Sequence, residues 1–314
     1  MFKKCCVLIV LLGLAVALNV SCSSTSSTGP TKSRSKVSLT FTGLDSLSME
    51  RYELWAVSQG TYTSLGRFNL NSIKQAIDDT GGVITLFSSS VDLATASRLA
   101  VTIEPEPDAD PSPSAIEALT SEITQSDTLA LAFKVDYTGR AGNMIIITPS
   151  DGGGRIFPPN TDTTNEFSGI WFVSKPWGEP ELGLTLVAPP VGWKYEGWYM
   201  DGMMNFISTG KFTDVTKKDE NNGYLSTADS AYVDSFWHYP GEDFLTNAPA
   251  GETFPLDVRG GMAFVTLEPE PDNSAMPFMP FILFCKNIDS SLVSNHAYPL
   301  DTPPMPSGQA ILKQ

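Results

Sequence analysis

Residues 101–108 read VTIEPEPD and residues 265–272 read VTLEPEPD, so seven of the eight positions are identical. Upstream of the two copies, residues 52–55 (YELW) and 195–198 (YEGW) also correspond. Self-similarity of this kind, repeated in the same order, is the sequence signature of a duplicated structural unit. The chain is therefore expected to contain one fold twice.

The segments around these motifs predict strands. Leu99, Val101 and Ile103 fall at every second position, as on one face of a strand. Pro105 and Pro269 cannot donate a ladder hydrogen bond, so each strand must end there or become an edge. Many short strands separated by turn signals predict an all-β chain of two tandem, Ig-like β-sandwich domains with minor helix.

The predicted domain boundaries follow the repeats and the composition. We expect the two β-sandwich repeats at residues 37–150 and 165–290. Residues 291–314 are rich in proline and are predicted to be an extended or disordered tail. The apolar spacing within residues 71–79 predicts one short helix.

The start of the chain is typical of an exported protein. Two lysines precede an apolar run that is too short to span a bilayer comfortably, so residues 1–21 are predicted to be a signal peptide. Residues 19–22 (NVSC) resemble the lipobox of bacterial lipoproteins, whose cysteine is acylated. Cys22 is therefore predicted to carry lipid and to begin a flexible tether over residues 22–36. The alternative is plain secretion, with Cys22 incidental.

Lipid at this cysteine would make the membrane the first partner of the protein. Two or more acyl chains hold a protein on a bilayer far more firmly than one chain does. By resemblance to the sorting of such lipoproteins, Ser23 and Ser24 favour the outer membrane if the cell is Gram-negative.

The composition is acidic, with 35 Asp and Glu residues against 20 Lys and Arg residues and a net charge of −15. A surface of this sign repels nucleic acid, which we exclude as a partner. After removal of a signal peptide only Cys22 and Cys285 remain, so no internal disulfide is expected. Cys285 ends an apolar run and is predicted to be a buried, inert thiol.

Several motifs together resemble the extracytoplasmic C-terminal domain of anti-sigma-K factors, present twice. They are YELWAV at residues 52–57, LGRF at 65–68 and LAVTIEP at 99–105, then GWKYEGW at 192–198, STGKF at 208–212, PGEDFL at 240–245 and VTLEP at 265–269. The resemblance implies a β-sandwich used for sensing or partner binding, and no catalytic residues. Direct contact with a cytoplasmic sigma factor is not expected, because the chain shows no sigma-binding domain and is predicted to lie outside the inner membrane.

The repeated acidic stretches are candidate calcium ligands. The carboxylates in question are Glu104, Glu106, Asp108, Glu268, Glu270 and Asp272. Calcium takes six to eight oxygen ligands, but no glycine-turned ligand loop follows either stretch. The alternative is a strand that ends in a solvated acidic turn, with prolines that guard an edge.

Aromatic residues suggest a second kind of binding site. Trp177, Trp193 and Trp237 lie in or beside predicted loops and could contact a glycan or a protein. Trp55 and Trp198 recur at matching strand positions, which favours packing inside the protein.

The sequence thus predicts a non-enzymatic envelope lipoprotein that needs no cofactor and serves in recognition, sensing or binding of an envelope protein. The alternative is a carbohydrate- or calcium-dependent binding or adhesion module. A hydrolase is the third hypothesis, because His238 and His296 could serve a triad, although no Gly-x-Ser-x-Gly motif accompanies them.

Overall fold

Alternating and β-branched or aromatic residues form strands along the whole described chain. The computed structural model describes residues 33–149, 165–175, 179–220, 223–225, 237–272 and 274–314. The predicted signal peptide, Cys22 and Trp177 lie outside the described residues. Within these ranges, no helix has the length and apolarity needed to cross a bilayer.

The described residues contain eighteen strands. These are β1 Lys36–Thr42, β2 Glu50–Ser58, β3 Thr61–Leu70, β4 Ala76–Ile77, β5 Phe87–Ser88, β6 Arg98–Pro105, β7 Glu117–Glu122, β8 Thr128–Ala132, β9 Ala141–Ile146, β10 Gly169–Trp171, β11 Leu184–Thr185, β12 Trp193–Met200, β13 Phe206–Phe212, β14 Gly241–Asp243, β15 Met262–Pro269, β16 Ile282–Asn287, β17 Ala297–Pro299 and β18 Ser307–Lys313. Leu93–Thr95 and Met279–Phe281 are 3₁₀ turns. The prediction of an all-β fold is confirmed.

The strands form three antiparallel sheets. The largest has the order β4-β3-β2-β6-β7-β8-β18-β1-β5. The second has the order β11-β9-β10-β14, with β17 also paired to β9, and the third has the order β13-β12-β15-β16. Strands β3-β2-β6-β7 of the first sheet and β13-β12-β15-β16 of the third come from the two sequence repeats and follow the same order.

The two repeats fold alike down to their irregularities. The register between β2 and β3 shifts at Leu54/Trp55, and the register between β12 and β13 shifts at the equivalent Gly197/Trp198. A second shift occurs at Val101/Thr102 in β6 and at Val265/Thr266 in β15. Bulges re-aim the side chains beside them. The repeated sequence therefore specifies side-chain directions as well as strands.

One continuous apolar core joins the sheets. It includes Leu54 from β2, Ile170 from β10 and Tyr195 from β12. The hydroxyls of Tyr137 and Tyr195 also share a hydrogen bond of 2.8 Å across the two repeats. Ser33–Gln314 form one compact unit. The division into domains at residues 37–150 and 165–290 stays a prediction.

The helix predicted at residues 71–79 is absent, because side chains in this segment stabilise turns instead. Asn71 Oδ1 accepts the backbone N–H groups of Ile73 and Gln75, and Asp78 Oδ1 accepts that of Gly82. Such local bonds compete with helical ones. The segment therefore forms turns around the two-residue strand β4.

The predicted tail is part of the structure and is not disordered. Residues 307–313 form β18, which lies between β1 and β8 in the largest sheet. Ala310 and Leu312 of this strand belong to the core. The C-terminal segment therefore completes a sheet that begins with the first described strand.

A duplicated acidic node as the candidate functional site

A buried polar network occurs once in each repeat. Node 1 consists of Glu53, Trp55, Thr102 and Glu104, and node 2 consists of the equivalent residues Glu196, Trp198, Thr266 and Glu268. All eight side chains are buried. The predicted burial of the two tryptophans is therefore confirmed.

Strand alternation places node 1 on the face of the sheet that lies opposite the main core. Leu54 and Val101 belong to the main core, whereas Trp55 packs in a separate small apolar cluster with Val57 and Ala100. Successive side chains of a strand point to opposite faces, so Glu53 and Trp55 share a face. The sequence pattern predicted that Trp55 is buried, but not that it lies away from the main core.

Node 1 contains a chain of hydrogen bonds. The indole N–H of Trp55 donates to Thr102 Oγ1 at 2.8 Å, and the Thr102 hydroxyl donates to the Glu104 carboxylate. Both Glu104 oxygens accept the backbone N–H of Ser114, at 3.0 and 3.1 Å. A buried carboxylate is tolerated when such donors surround it. Glu104 therefore ties the segment after β6 back to the strand.

Node 2 repeats this chain atom by atom. Trp198 Nε1 donates to Thr266 Oγ1 at 2.9 Å, and Thr266 donates to Glu268. The backbone N–H of Phe278 lies 2.9 and 3.1 Å from the two Glu268 oxygens. Two of the predicted calcium ligands, Glu104 and Glu268, are thus anchors of a local structure.

Two further predicted calcium ligands, Glu106 and Glu270, form ion pairs with basic side chains. Glu106 forms an ion pair with Arg67 at 3.1 Å. The second repeat has the equivalent pair, in which the Glu270 carboxylate lies 3.5 Å from the Lys211 ammonium. β6 ends at Pro105 and β15 at Pro269, so Glu106 and Glu270 lie beyond the strands, and each acidic stretch is divided between a buried node and surface ion pairs.

Three carboxylates do converge among the described residues, and one was missed from the sequence. Glu196, Glu268 and Asp272, which we call the acidic triad, each place one oxygen within 4.8 Å of the other two. Glu196 comes from β12, which pairs with β15 along its whole length. The recurrence of Glu53 and Glu196 in the YExW motif was the signal that could have identified it.

The triad is electrostatically costly. Burial raises the pKa of Glu196 to about 7, although the Ser208 hydroxyl donates to its Oε1 at 2.5 Å. Burial also raises the pKa of Glu268 to about 8. The Lys211 ammonium lies 3.2 Å from Asp272 and supplies part of the compensating charge. A proton or a cation is favoured wherever carboxylates crowd together out of water.

A second group of buried acids lies at β14. Glu242 and Asp243 are fully buried, and Asp219 nearly so. The Trp171 indole donates to Asp243 Oδ1 at 2.7 Å. Burial, with the negative charges of Asp219 and Asp243, raises the pKa of Glu242 to about 10. Glu242 is therefore a neutral acid at physiological pH.

Two of the three tryptophans suggested as surface contacts, Trp193 and Trp237, are core residues. Trp193 is buried against the rings of Phe281 and Phe133, with centroids 5.2 and 5.4 Å away. Trp237 is fully buried, 5.5 Å from the ring of Trp171. Their prediction as exposed binding residues is wrong, because Trp193 belongs to strand β12 and both side chains pack among other buried rings.

The remaining reactive side chains are not members of either node. His238 and His296 are exposed, and their rings lie 4.5 and 4.8 Å from those of Tyr239 and Tyr298. Cys285 is half-buried in β16, and burial raises the pKa of its thiol. A raised pKa lowers the thiolate fraction and with it the reactivity of the sulfur.

The threonine at the centre of each node is expected to stabilise the protein. Thr266→Val keeps the shape of the side chain but leaves the Trp198 N–H and Glu268 each without one bond. We expect the free energy of unfolding to fall by about 2 kcal/mol, and the equivalent Thr102→Val to have the same effect. Urea denaturation measures both, with Thr128→Val at an exposed position of β8 as the control. A change below about 0.5 kcal/mol at either node would show that its hydrogen-bond chain contributes nothing.

Comparison of the chain with protein-family models, with curated proteins and with solved structures finds no match, so the resemblance to the anti-sigma-K C-terminal domain stays a prediction that rests on its sequence motifs.

Proposed function

We propose that this protein is a non-enzymatic recognition protein of the bacterial cell envelope, held on the membrane by lipid at Cys22. Its duplicated anti-sigma-K-like units bind an envelope protein partner, and neither nucleic acid nor a cytoplasmic sigma factor is a partner. The signal-peptide pattern and the NVSC motif at residues 19–22 support the anchoring. The duplicated motifs support the recognition role.

The observation that carries the proposal is a difference between two equivalent hairpin tips. The β2–β3 tip contains Gln59 and Gly60, whereas the β12–β13 tip exposes Met203 and Met204 at 80% and 67%. Asp201 Oδ1 accepts the backbone N–H of Met203 at 2.8 Å and so fixes this turn. Loops that differ on a shared rigid scaffold are where binding specificity resides. Exposed methionines suit contact with a protein surface because they are apolar and adaptable.

Cross-linking in living cells tests the partner. A photoreactive amino acid in place of Met203 is expected to join the protein to one specific envelope protein, identified by mass spectrometry. The same group in place of Gln59 is the matched control and should give several-fold less of that product. Equal yields at the two tips would remove the observation on which the proposal rests.

The anchor is tested in the same cells. Cys22→Ala should move the protein from the membrane fraction to the soluble fraction and weaken the cross-link at position 203. Retention of this variant on membranes would contradict anchoring by lipid at Cys22.

The alternative is a carbohydrate- or calcium-dependent binding or adhesion module. The acidic triad supports calcium dependence, since carboxylate oxygens are ligands that calcium prefers. Carbohydrate binding is less well supported, because Trp193 and Trp237 are buried and so do not offer a surface for a glycan. A glycan array with and without calcium separates this alternative from protein recognition.

A further inference from the structure

We propose that Glu196, Glu268 and Asp272 form a binding site for a hard divalent cation of the Ca²⁺ type in the second repeat. The site does not depend on the partner-binding role proposed above. It is assigned from the arrangement of three carboxylates, one buried Glu196 oxygen without a hydrogen-bond partner in the described ranges and the contrast with the first repeat.

The distances suit a single ion. One oxygen of each residue lies within 4.8 Å of the corresponding oxygens of the other two. Calcium binds its oxygen ligands at about 2.3–2.6 Å, so two oxygens on one ion are separated by at most about 5 Å. A set made only of carboxylates favours Ca²⁺ or Mg²⁺ over metals that prefer sulfur or imidazole.

One buried oxygen of the triad has no hydrogen-bond partner in the part of the chain that the structure describes, and this is a separate observation that favours a ligand. Glu196 is 5% exposed, and its Oε2 has no hydrogen-bond partner among the described residues. A buried carboxylate oxygen without a partner has lost its hydration and gained no hydrogen bond in return, which is unfavourable. Coordination to a cation replaces the lost water.

The charges near the triad are only partly balanced. The Lys211 ammonium lies 3.2 Å from Asp272 but also 3.5 Å from Glu270. One ammonium is thus shared between the triad and a neighbouring carboxylate. A divalent cation would supply the missing positive charge, and Lys211 would compete with it for Asp272.

The first repeat provides an internal comparison. Arg67 replaces Lys211 there and pairs with Glu106 at 3.1 Å. The equivalents of the triad, Glu53, Glu104 and Asp108, do not come together as a ligand group among the described residues. The duplicated scaffold therefore offers one candidate cation site and a near copy without one.

Terbium luminescence tests the proposal on the purified full-length protein. Tb³⁺ replaces Ca²⁺ at oxygen sites and emits when a nearby indole is excited. Trp198 is joined to the triad through Thr266 and Glu268, so it is the expected donor. We expect saturable emission with one Tb³⁺ per chain, which added Ca²⁺ displaces.

Matched variants locate the ion. Asp272→Asn should weaken Tb³⁺ binding at least about tenfold, as expected for loss of one charged ligand, whereas the equivalent Asp108→Asn should leave it unchanged. Lys211→Gln should strengthen binding because the competing ammonium is gone, and Arg67→Gln should not. Circular dichroism checks that each variant is folded.

Three outcomes would overturn the assignment. They are the absence of saturable emission, equal losses in Asp272→Asn and Asp108→Asn, and weaker binding in a folded Lys211→Gln protein. If Asp272→Asn fails to fold, Lys211→Gln still tests the site, because this variant is expected to bind Tb³⁺ more tightly than the parent protein.

Discussion

A chain that lacks residues 307–314 is expected to have no stable fold. These residues contain β18, which pairs with β1 from Lys36↔Lys313 to Thr42↔Ser307 and with β8 from Ser307↔Ala132 to Ile311↔Thr128. Its removal leaves two unpaired edges in the middle of the largest sheet and opens the core. Unpaired edges also promote aggregation. We expect loss of cooperative thermal unfolding and recovery of the truncated protein mainly as aggregate.

Point variants measure the same contribution without removing the strand. Leu312 is 3% exposed, so Leu312→Ala should lower the free energy of unfolding by about 2–5 kcal/mol. Gln309 is exposed on the same strand, and Gln309→Ala should change it by less than about 0.5 kcal/mol. Urea denaturation of the three proteins is the measurement. A folded truncated chain with the stability of the parent would show that β18 is dispensable.

The sequence contained part of the signal for β18. The prolines up to Pro306 are typical of an irregular segment, and they led to the prediction of a tail. From Ser307 onward, however, exposed Gln309 and Lys313 alternate with buried Ala310 and Leu312. A period of two indicates a strand, but it does not reveal partners that lie far away in the chain. The insertion between β1 and β8 therefore depends on tertiary packing.

The nodes show the same division between local and long-range information. The repeated stretches predicted strands that end at proline, and the structure has β6 and β15 ending at Pro105 and Pro269. The predicted calcium sets were drawn from neighbours in sequence. The triad instead combines Glu196 with residues about 70 positions later in the chain. They meet because β12 pairs with β15, and the register of that pairing cannot be read from either strand alone. Cross-strand pairing thus decides which carboxylates meet.

The pH dependence of stability should depend strongly on Glu242. Its pKa is about 10 in the folded protein, against 4.5 for the exposed group. Between these values the folded state keeps a proton that the unfolded state has lost. The free energy of unfolding therefore falls as pH rises from 4.5, by about 1.4 kcal/mol per pH unit, and levels off near pH 10. At pH 7 this amounts to about 3 kcal/mol.

Glu242→Gln removes the ionisation and keeps the size of the side chain. We expect the variant to match the parent near pH 5 and to exceed its free energy of unfolding by about 3 kcal/mol at pH 7. The Gln amide can also donate toward Asp219 and Asp243, whose charges help to raise the pKa of Glu242. Urea denaturation at pH 5, 7 and 8.5 gives the difference at each pH.

The control for this experiment is Glu122→Gln, at an exposed position of β7. Its stability should follow that of the parent at all three pH values, because a solvated carboxylate is ionised alike in both states. Parallel curves for the Glu242→Gln protein and the parent would contradict a buried neutral acid at β14. A difference in free energy of unfolding that widens with pH would instead show that folded Glu242 keeps its proton and that this lowers the stability of the protein. Such behaviour is expected of a buried acid beside two further carboxylates.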